Sequence, residues 1–449
     1  MLSLSDTLAL LDSPTINWKS IIVGLTVGKY AFESYLSYRQ YQVLKRTQPP
    51  ATLKLEISKK TFDKTQDYGR AKSRFGFISE TINLVENLVF IKYDYLPKLW
   101  NVAGVLMSRM SFILPKAFSG VITHSVFFFG VNTIIASLLS IPVSYYQTFV
   151  LEEKYGFNKS TKKLFFTDLI KGQLLTIALG SPVLAGFLKI LDSFGDSFIF
   201  YTMMFILGIQ LLFMTIYPTV IQPLFNKFTP LEDGELKSAI EDLARKNKFP
   251  CTELYVVDGS KRSSHSNAYF TGLPWSKKIV IFDTLIEHST TEEIVAVLGH
   301  EIGHWKLNHI AQMLVYTQAH LFIFFSLFRS FIHNKSLYES FGFKGIYPTI
   351  IGFQLFSDIQ APFDTVSQFA SHLLSRKNEF EADAFATEQG YAPDLARSLI
   401  KLSTENLSTV DADWLYASYT YSHPILSERL NALGYVSSEK VGKDAEKED

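Results

Sequence analysis

Cysteine is almost absent from this sequence of 449 residues, in which Cys251 is the single thiol. One cysteine excludes an internal disulfide and any metal site built from several cysteine ligands. Because Cys251 follows Pro250 where a strand is predicted to begin, we expect it to have a structural role. Charge is scarce as well: Asp, Glu, Lys and Arg make up 19% of the chain, and 43 acidic residues balance 43 basic ones. Without a net basic charge, we expect no nucleic-acid partner.

Long apolar runs dominate the rest of the sequence. Hydrophobic residues make up 47% of the chain and aromatic residues 14%. A large soluble protein with an aromatic core is the alternative, but the runs are too long for it. We therefore predict an α-helical polytopic membrane protein with about seven spans of roughly 20 residues each. The predicted spans are residues 16–38, 82–107, 121–146, 169–191, 198–224, 309–332 and 347–374.

Basic residues indicate the orientation of these spans. Lys and Arg recur between residues 45 and 74, after the first span, whereas the loop after the fourth span, LDSFGDS, has neither. The positive-inside rule then places the first, third and fifth loops and the C-terminus in the cytosol. The alternative is that these basic residues only solvate surface helices. The start of the chain has Asp6 and Asp12 and no basic cluster, so we expect the first span itself to direct insertion.

The sequence divides into four segments. Residues 1–224 hold five spans, 225–308 form a polar segment, 309–374 hold two further spans, and 375–449 form a second polar segment. Within the first polar segment we predict a helix over 236–246 and strands at 254–257, 267–270 and 279–282. The residues Thr290 to Glu293 form a capping-box pattern that opens the next helix. The last residues, 439–449, are typical of a solvated, disordered tail.

The helix that follows Thr290 carries the HExxH pattern of zinc proteases, at residues 300–304. Residues four apart lie on one face of a helix, so His300 and His304 can both point at one Zn²⁺. Glu301 lies beside them, where its carboxylate can accept a proton from water. The pattern alone also occurs by chance, in on the order of one protein in a hundred of this length. A third ligand is therefore needed to support a metal site.

The best candidate for a third ligand is Glu379, within residues 378–386, NEFEADAFA. A catalytic zinc usually takes three protein ligands and keeps one position open. On a helix, Glu379 and Asp383 share a stripe with two alanines, which would let this helix approach the first one closely. Asp383 could then fix a histidine through a hydrogen bond to its second nitrogen. On geometry alone, Glu381 and Glu388 are rival ligands.

Polar side chains interrupt the sixth and seventh spans. They are His309, Gln312, Tyr316 and His320 in the sixth span and Gln354, Asp358, Asp364 and Gln368 in the seventh. Ionisable groups at the depth of a membrane are costly and usually face protein or water. We favour a wet interior cavity. Ordinary hydrogen bonding between helices is the alternative.

Several motifs in this chain resemble those of one protein family. HEIGHWKLNH (300–309), SRKNEFEADAFA (375–386) and YSHPILSERL (421–430) are similar to motifs of the type I CAAX prenyl proteases, which are integral-membrane zinc metalloproteases. SNAYFTG (266–272) is similar to the family strand beside the cleft. The resemblance covers nearly the whole chain. It implies about seven membrane helices around an interior chamber, with a cytosolic α+β zincin-like catalytic domain.

The resemblance also implies a role for each residue that matches a family motif. The implied ligands of one Zn²⁺ per chain are His300, His304 and Glu379. Glu301 is the implied general base, and Asp383 is the implied hydrogen-bond partner that holds a ligating histidine in place. The implied residues at the substrate are Asn267 on the cleft strand and, near the scissile carbonyl, His423 and Arg429. The last two could stabilise the oxyanion of a tetrahedral intermediate.

The implied function is removal of the last three residues from prenylated CAAX proteins, with a second, upstream cut in some precursors. A prenylated substrate brings its own lipid, which would explain a zinc site at the edge of a membrane span. The family location is the endoplasmic reticulum membrane, together with the nuclear envelope, with the active site facing the cytosol. One alternative is a membrane quality-control protease with the same chemistry. Another is a transporter or channel with a regulatory metal site, but that reading leaves Glu301 without a role.

Overall fold

The structure is a computed structural model that describes residues 11–110, 112, 119–273 and 276–436. The predicted disordered tail, 439–449, lies outside the described residues. The first part of the chain forms the helices α1 (Trp18–Val43), α2 (Lys59–Lys92), α3 (Tyr95–Arg109), α4 (Val121–Tyr146), α5 (Lys162–Ser193) and α6 (Phe198–Ile216).

A mixed segment follows these helices. It contains β1 (Phe228–Pro230), α7 (Glu235–Asn247), β2 (Cys251–Val257), β3 (Ala268–Leu273), β4 (Ser276–Phe282), α8 (Asp283–His288) and α9 (Thr291–Lys306). The last part of the described chain is helical again. It contains α10 (His309–Phe328), α11 (Lys335–Ser340), α12 (Thr349–Glu388), α13 (Ala392–Glu405), α14 (Trp414–Thr420) and α15 (Leu426–Ala432).

Four helical stretches of the described chain are long and apolar enough to cross a membrane. They are Val121–Tyr155, Lys162–Ser193, Phe198–Leu224 and His309–Phe328. The first and third extend α4 and α6 through π-helical turns at Gln147–Glu152 and Tyr217–Ile221. These stretches coincide with four of the predicted spans. Helices α1 and α12 cover the first and the seventh predicted spans but are more polar, as expected of helices that face an interior cavity.

The second predicted span, 82–107, is wrong as a single helix. The chain forms α2 up to Lys92, turns, and starts α3 at Tyr95. Asp94 at this turn has a left-handed backbone with φ of 51°, and its carboxylate lies 2.5 Å from Lys19 Nζ on α1. Lys92, Asp94, Pro97 and Lys98 mark this point in the sequence, but the apolar runs on either side of it favoured one continuous span.

The polar segment before α9 forms a four-stranded sheet in the order β1-β2-β4-β3. β2 and β4 are parallel, whereas β1 and β3 pair antiparallel to their neighbours. The strands predicted at 254–257 and 279–282 fall within β2 and β4, and the helix predicted over 236–246 falls within α7. The strand predicted at 267–270 overlaps β3 but begins one residue before it. The strand β1 was not predicted; it is only three residues long and ends in a proline. Because β3 is at the edge of the sheet, its outer backbone is available to a further extended chain.

The sheet and α7 pack on one face of α9. Their shared core includes Ile240 of α7, Ile279 and Ile281 of β4, and Leu298 and Ile302 of α9, all at most 1% exposed. Burial of this face fixes the rotation of α9. The opposite face of α9, which bears the two histidines, is therefore directed at α12.

Cavities lie between the helices. One, of about 900 Å³, is bounded by α1, α2, α13 and α14 and by the residues before β3. A second cavity, of about 500 Å³, lies beside α10 and α12. A third, of about 300 Å³, lies between α2, α3 and α12. Among the polar residues of the sixth and seventh spans, some form hydrogen bonds between helices and some line cavities. Tyr316 and His320 hydrogen-bond to Ser367 of α12 and also line the 500 Å³ cavity, while Gln354 and Asp358 line the 300 Å³ cavity.

Candidate metal centre

Helix α9 begins with the predicted capping box. Thr290 Oγ1 accepts a hydrogen bond from the Glu293 backbone nitrogen, and the Glu293 carboxylate accepts one from the Thr290 backbone nitrogen. This cap satisfies two of the unpaired nitrogens at the helix start. Three turns later the helix presents His300 and His304 toward α12. Their Nε2 atoms lie 3.1 Å apart.

Helix α12 continues without a break from the seventh predicted span into the polar segment. Its stripe of Glu379, Ala382, Asp383 and Ala386 is buried, and both alanines are 0% exposed. Gly303 of α9 faces this stripe so closely that a side-chain carbon there would lie 3.2 Å from the Ala382 backbone. The small residues on both helices therefore allow the close approach that the sequence predicted.

The close approach brings three potential ligands together. Glu379 Oε1 lies 3.2 Å from His304 Nε2, and Glu379 Oε2 lies 3.5 Å from His300 Nε2. A ligand atom from each of His300, His304 and Glu379 lies within 4.8 Å of the others. Bonds of about 2.0–2.1 Å to a tetrahedral zinc would separate ligand atoms by roughly 3.3–3.5 Å. The observed spacings match that requirement.

One atom of this group lacks a hydrogen-bond partner among the described residues. Glu379 Oε2 is buried and accepts no hydrogen bond, although His300 Nε2 lies 3.5 Å and Arg429 Nη1 3.6 Å away. An orphaned carboxylate oxygen is costly in a protein interior, unless a cation or another donor completes its environment. The residues present therefore fit a bound metal ion. Two imidazoles and one carboxylate are also a ligand set that zinc commonly takes in hydrolases.

Asp383 and Arg429 lie next to the three-residue group, at the Nδ1 side of His300. His300 Nδ1 is 2.8 Å from Asp383 Oδ1. A proton on Nδ1 that is donated to Asp383 leaves the lone pair of Nε2 free to face Glu379 and His304. Arg429 donates to both oxygens of Asp383, from Nη2 at 2.5 Å and from Nε at 2.8 Å. Asp383 is thus held in place by an arginine fork.

The charges of the site are arranged around buried carboxylates. Burial raises the pKa of Glu301 above its ordinary value, which makes the carboxylate a stronger base. Burial also acts to raise the pKa of Glu379, but the contacts with His300 and His304 outweigh it and hold this pKa well below its usual range. Glu379 is therefore anionic, the form that a metal ligand needs.

The residues predicted to meet substrate line one wall of the 900 Å³ cavity. This wall includes Asn267, His423 and Arg429. Asn267 is exposed immediately before the edge strand β3. His423 Nε2 lies 3.3 Å from Glu379 Oε1, with 64% of its side chain exposed. Arg429 is engaged with Asp383, so its predicted contact with a substrate carbonyl has to come from the remaining face of the guanidinium.

The rival ligands Glu381 and Glu388 lie outside the three-residue group. Glu388 is exposed. Glu381 instead contacts His309 and Lys377 at 3.2 Å each. His309 in turn contacts His304, a contact that was not predicted from the sequence. The backbone of Asn308 is left-handed, with φ of 57°, and the resulting helix break directs a residue five positions after His304 back to its ring.

Comparisons with known families identify the family of this chain. Residues 230–437 match the model of Peptidase family M48, and residues 40–227 match the model described as CAAX prenyl protease N-terminal, five membrane helices. The chain belongs to peptidase family M48. Membership makes the protein a metalloprotease, and the matched membrane helices make it a multi-pass membrane protein.

Relatives within the M48 family are similar over nearly the whole chain. CAAX prenyl protease 1 of Saccharomyces cerevisiae is 50% identical, over 97% of this chain and 99% of the relative. CAAX prenyl protease 1 homolog of Homo sapiens is 39% identical, over 90% of this chain and 92% of the relative. The crystal structure of S. mikatae Ste24p superposes with a TM-score of 0.89, at 51% identity, and covers 94% of this chain and 100% of that one.

Proposed function

We propose that this protein is a zinc-dependent membrane endopeptidase that removes the C-terminal tripeptide from prenylated CAAX proteins, with a second, upstream cut in some precursors. The observation that carries the proposal is identity of 50% to CAAX prenyl protease 1 of Saccharomyces cerevisiae along almost the full length of both chains. The three-residue metal group and the membrane helices are the parts that such an enzyme needs. Its partners are prenylated proteins and membrane lipid, and we expect no nucleic acid.

His300, His304 and Glu379 are the residues that would hold one Zn²⁺. When bound, the ion supplies a Lewis acid for attack of water on the scissile carbonyl. The anionic state of Glu379 and the hydrogen bond from His300 Nδ1 to Asp383 keep two of these ligands ready for the metal.

The other residues act on the peptide and on protons. The Glu301 carboxylate takes a proton from the attacking water and delivers it to the leaving nitrogen. The outer edge of β3, next to Asn267, can pair with an extended peptide. His423 lies beside Glu379 and is exposed to the cavity, where its ring can reach the carbonyl oxygen on which charge develops.

The position of α9 explains why a lipid-bearing substrate suits this site. Only Leu307 and Asn308 separate α9 from α10, the helix that starts a membrane-spanning stretch. The metal group therefore cannot lie far from the membrane surface. A soluble peptide would lose its full conformational freedom to reach this site, whereas a prenyl group already localises the scissile bond there.

Removal of the prenyl group should lower kcat/KM by at least about tenfold for one CAAX peptide sequence. Burial of a prenyl group contributes about 0.8 kcal/mol per CH₂-sized unit, although part of this is already gained in the membrane. The farnesylated and unmodified forms should be compared below saturation, in detergent and in liposomes, with products identified by mass spectrometry. Equal kcat/KM for both forms in both settings would favour a quality-control protease.

We further propose that the protein resides in the endoplasmic reticulum membrane, also extending to the nuclear envelope, with the site facing the cytosol. Asn158 and Asn406 each begin an Asn-X-Ser acceptor on the predicted cytosolic side and should stay unmodified. A glycan-acceptor tail appended to the N-terminus should be glycosylated, and the same tail at the C-terminus should not. Endoglycosidase digestion reads out both. A glycan on the C-terminal tail would reverse the orientation.

A further inference from the structure

His309 lies directly behind one of the proposed zinc ligands. It is the first residue of α10 and is 3% exposed. Its Nδ1 atom is 2.9 Å from Nδ1 of His304, and its Nε2 atom is 3.2 Å from Oε2 of Glu381 on α12. Three side chains from three helices thus form one chain of contacts that ends at a carboxylate.

The donors and acceptors of this chain can be assigned by elimination. If His304 Nε2 binds a metal, its lone pair is used there and the ring proton of the neutral imidazole is on Nδ1. That proton can only be donated to His309 Nδ1, which must then be an acceptor. The proton of His309 is therefore on Nε2, where the Glu381 carboxylate accepts it. Every contact in the chain is satisfied in a single tautomeric arrangement.

We propose that His309 and Glu381 are positioning residues that orient His304 for zinc and raise the affinity of the site. The proposal rests on the zinc centre of the proposed function. Asp383 contacts His300 Nδ1 directly, whereas Glu381 reaches His304 through the ring of His309. Each histidine of the metal group then has a carboxylate that fixes its ring, one by direct contact and one by relay.

The relay from His304 through His309 to Glu381 also connects the metal group with the membrane part of the protein. His304 is on α9, His309 begins the membrane-spanning α10, and Glu381 lies on α12 beyond the seventh predicted span. A buried histidine at the start of a membrane helix is costly unless its nitrogens are paired. The contacts with His304 and Glu381 pair both of them, which fixes the start of α10 relative to α9.

Zinc affinity of the full-length protein in detergent is the direct test. His309→Leu removes both hydrogen bonds at similar volume and should weaken zinc binding about 10–100-fold, the range seen when the outer partner of a ligating histidine is lost. His309→Gln should restore part of this affinity, because an amide offers one acceptor to His304 and donors to Glu381. Glu381→Leu should weaken binding by a smaller factor, since it removes only the distal partner.

Lys377→Met is the matched control. Lys377 contacts Glu381 Oε1 at 3.2 Å, whereas His309 faces the other carboxylate oxygen, Oε2, and 64% of the Lys377 side chain is exposed. Zinc dissociation constants should be measured by competition with a chelator, and near-ultraviolet circular dichroism of the metal-free proteins checks folding. If His309→Leu does not fold, Glu381→Leu carries the test, because its side chain is 38% exposed.

Weakened binding in His309→Leu and Glu381→Leu, with recovery in His309→Gln and wild-type affinity in Lys377→Met, supports the relay. Wild-type zinc affinity in folded His309→Leu, or equal losses in His309→Gln and His309→Leu, overturns it. These measurements do not involve peptide cleavage. Failure of the wild-type protein to cleave prenylated peptides would thus reject the proposed function without affecting the relay.

Discussion

Replacing Glu301 with glutamine is expected to lower peptide cleavage by about 10²–10⁴-fold, the usual contribution of a general base, while zinc stays bound. Glutamine has the size and polarity of glutamate, but its amide cannot accept a proton from water. Glu301 is outside the three-residue ligand group, so its replacement removes no metal bond. The loss should therefore fall on kcat and leave the zinc content and KM close to wild type.

The environment of Glu301 strengthens this expectation. Burial raises the pKa of its carboxyl, so the ionised form takes up a proton more readily than an exposed glutamate would. Glu292, an exposed acid in the first turn of the same helix, provides the control, because Glu292→Gln changes the same chemical group away from the metal site. Cleavage of a prenylated peptide and zinc content should be measured for both variants. Wild-type cleavage in Glu301→Gln would reject the hydrolytic mechanism.

The sequence predicted the parts of the fold that rest on length and periodicity. Spans of long apolar character, at 121–146, 169–191 and 198–224, correspond to helices of the structure. The failure at 82–107 has a physical cause: the left-handed turn at Asp94 is stabilised by Lys19, which is distant in sequence. Lys92, Asp94, Pro97 and Lys98 signal the break in the sequence, but the apolar runs on either side outweighed them in the prediction. The strand β1 was missed because three residues ending in proline carry no alternating pattern.

The candidate site was predictable where its residues repeat at helical spacing. His300 and His304 are four residues apart, and so are Glu379 and Asp383. Helical periodicity alone therefore places each pair on one face of a single helix. The choice of Glu379 over Glu381 rested on the alanines that share its stripe and on the family resemblance, and the structure shows the physical reason in the close approach of Ala382 to Gly303.

Two contacts of the site depend on how separate helices pack. Arg429 on α15 meets Asp383 on α12, and His309 reaches back to His304 because the chain breaks at Asn308. The sequence shows an asparagine at 308, between α9 and α10, but its positive φ and the fold-back of His309 are seen only in the structure. The resemblance placed Arg429 near the substrate carbonyl. Its hydrogen bonds to Asp383 indicate that it also fixes the outer partner of His300.

Replacing Glu379 with alanine is expected to remove most of the bound zinc and, with it, cleavage. Three protein ligands hold a catalytic zinc, and loss of one leaves two imidazoles that bind it far more weakly. The substitution also leaves His423 and Arg429 without the carboxylate they now face, at 3.3 Å and 3.6 Å. Removing that negative charge from among them further disfavours a cation.

The measurement is elemental analysis of the purified variant, with an expected zinc content below about 0.1 per chain under conditions that leave the wild type near one. Glu388→Ala is the matched control, because Glu388 is an exposed acid on the same helix outside the ligand group, and it should retain wild-type zinc and cleavage. Metal-free wild type and Glu379→Ala should unfold at similar temperatures, but added zinc should raise the Tm of the wild type alone, since only a protein that binds the ion gains stability from it. Full zinc occupancy in Glu379→Ala would mean that another carboxylate, with Glu301 the nearest in sequence to the two histidines, completes the site.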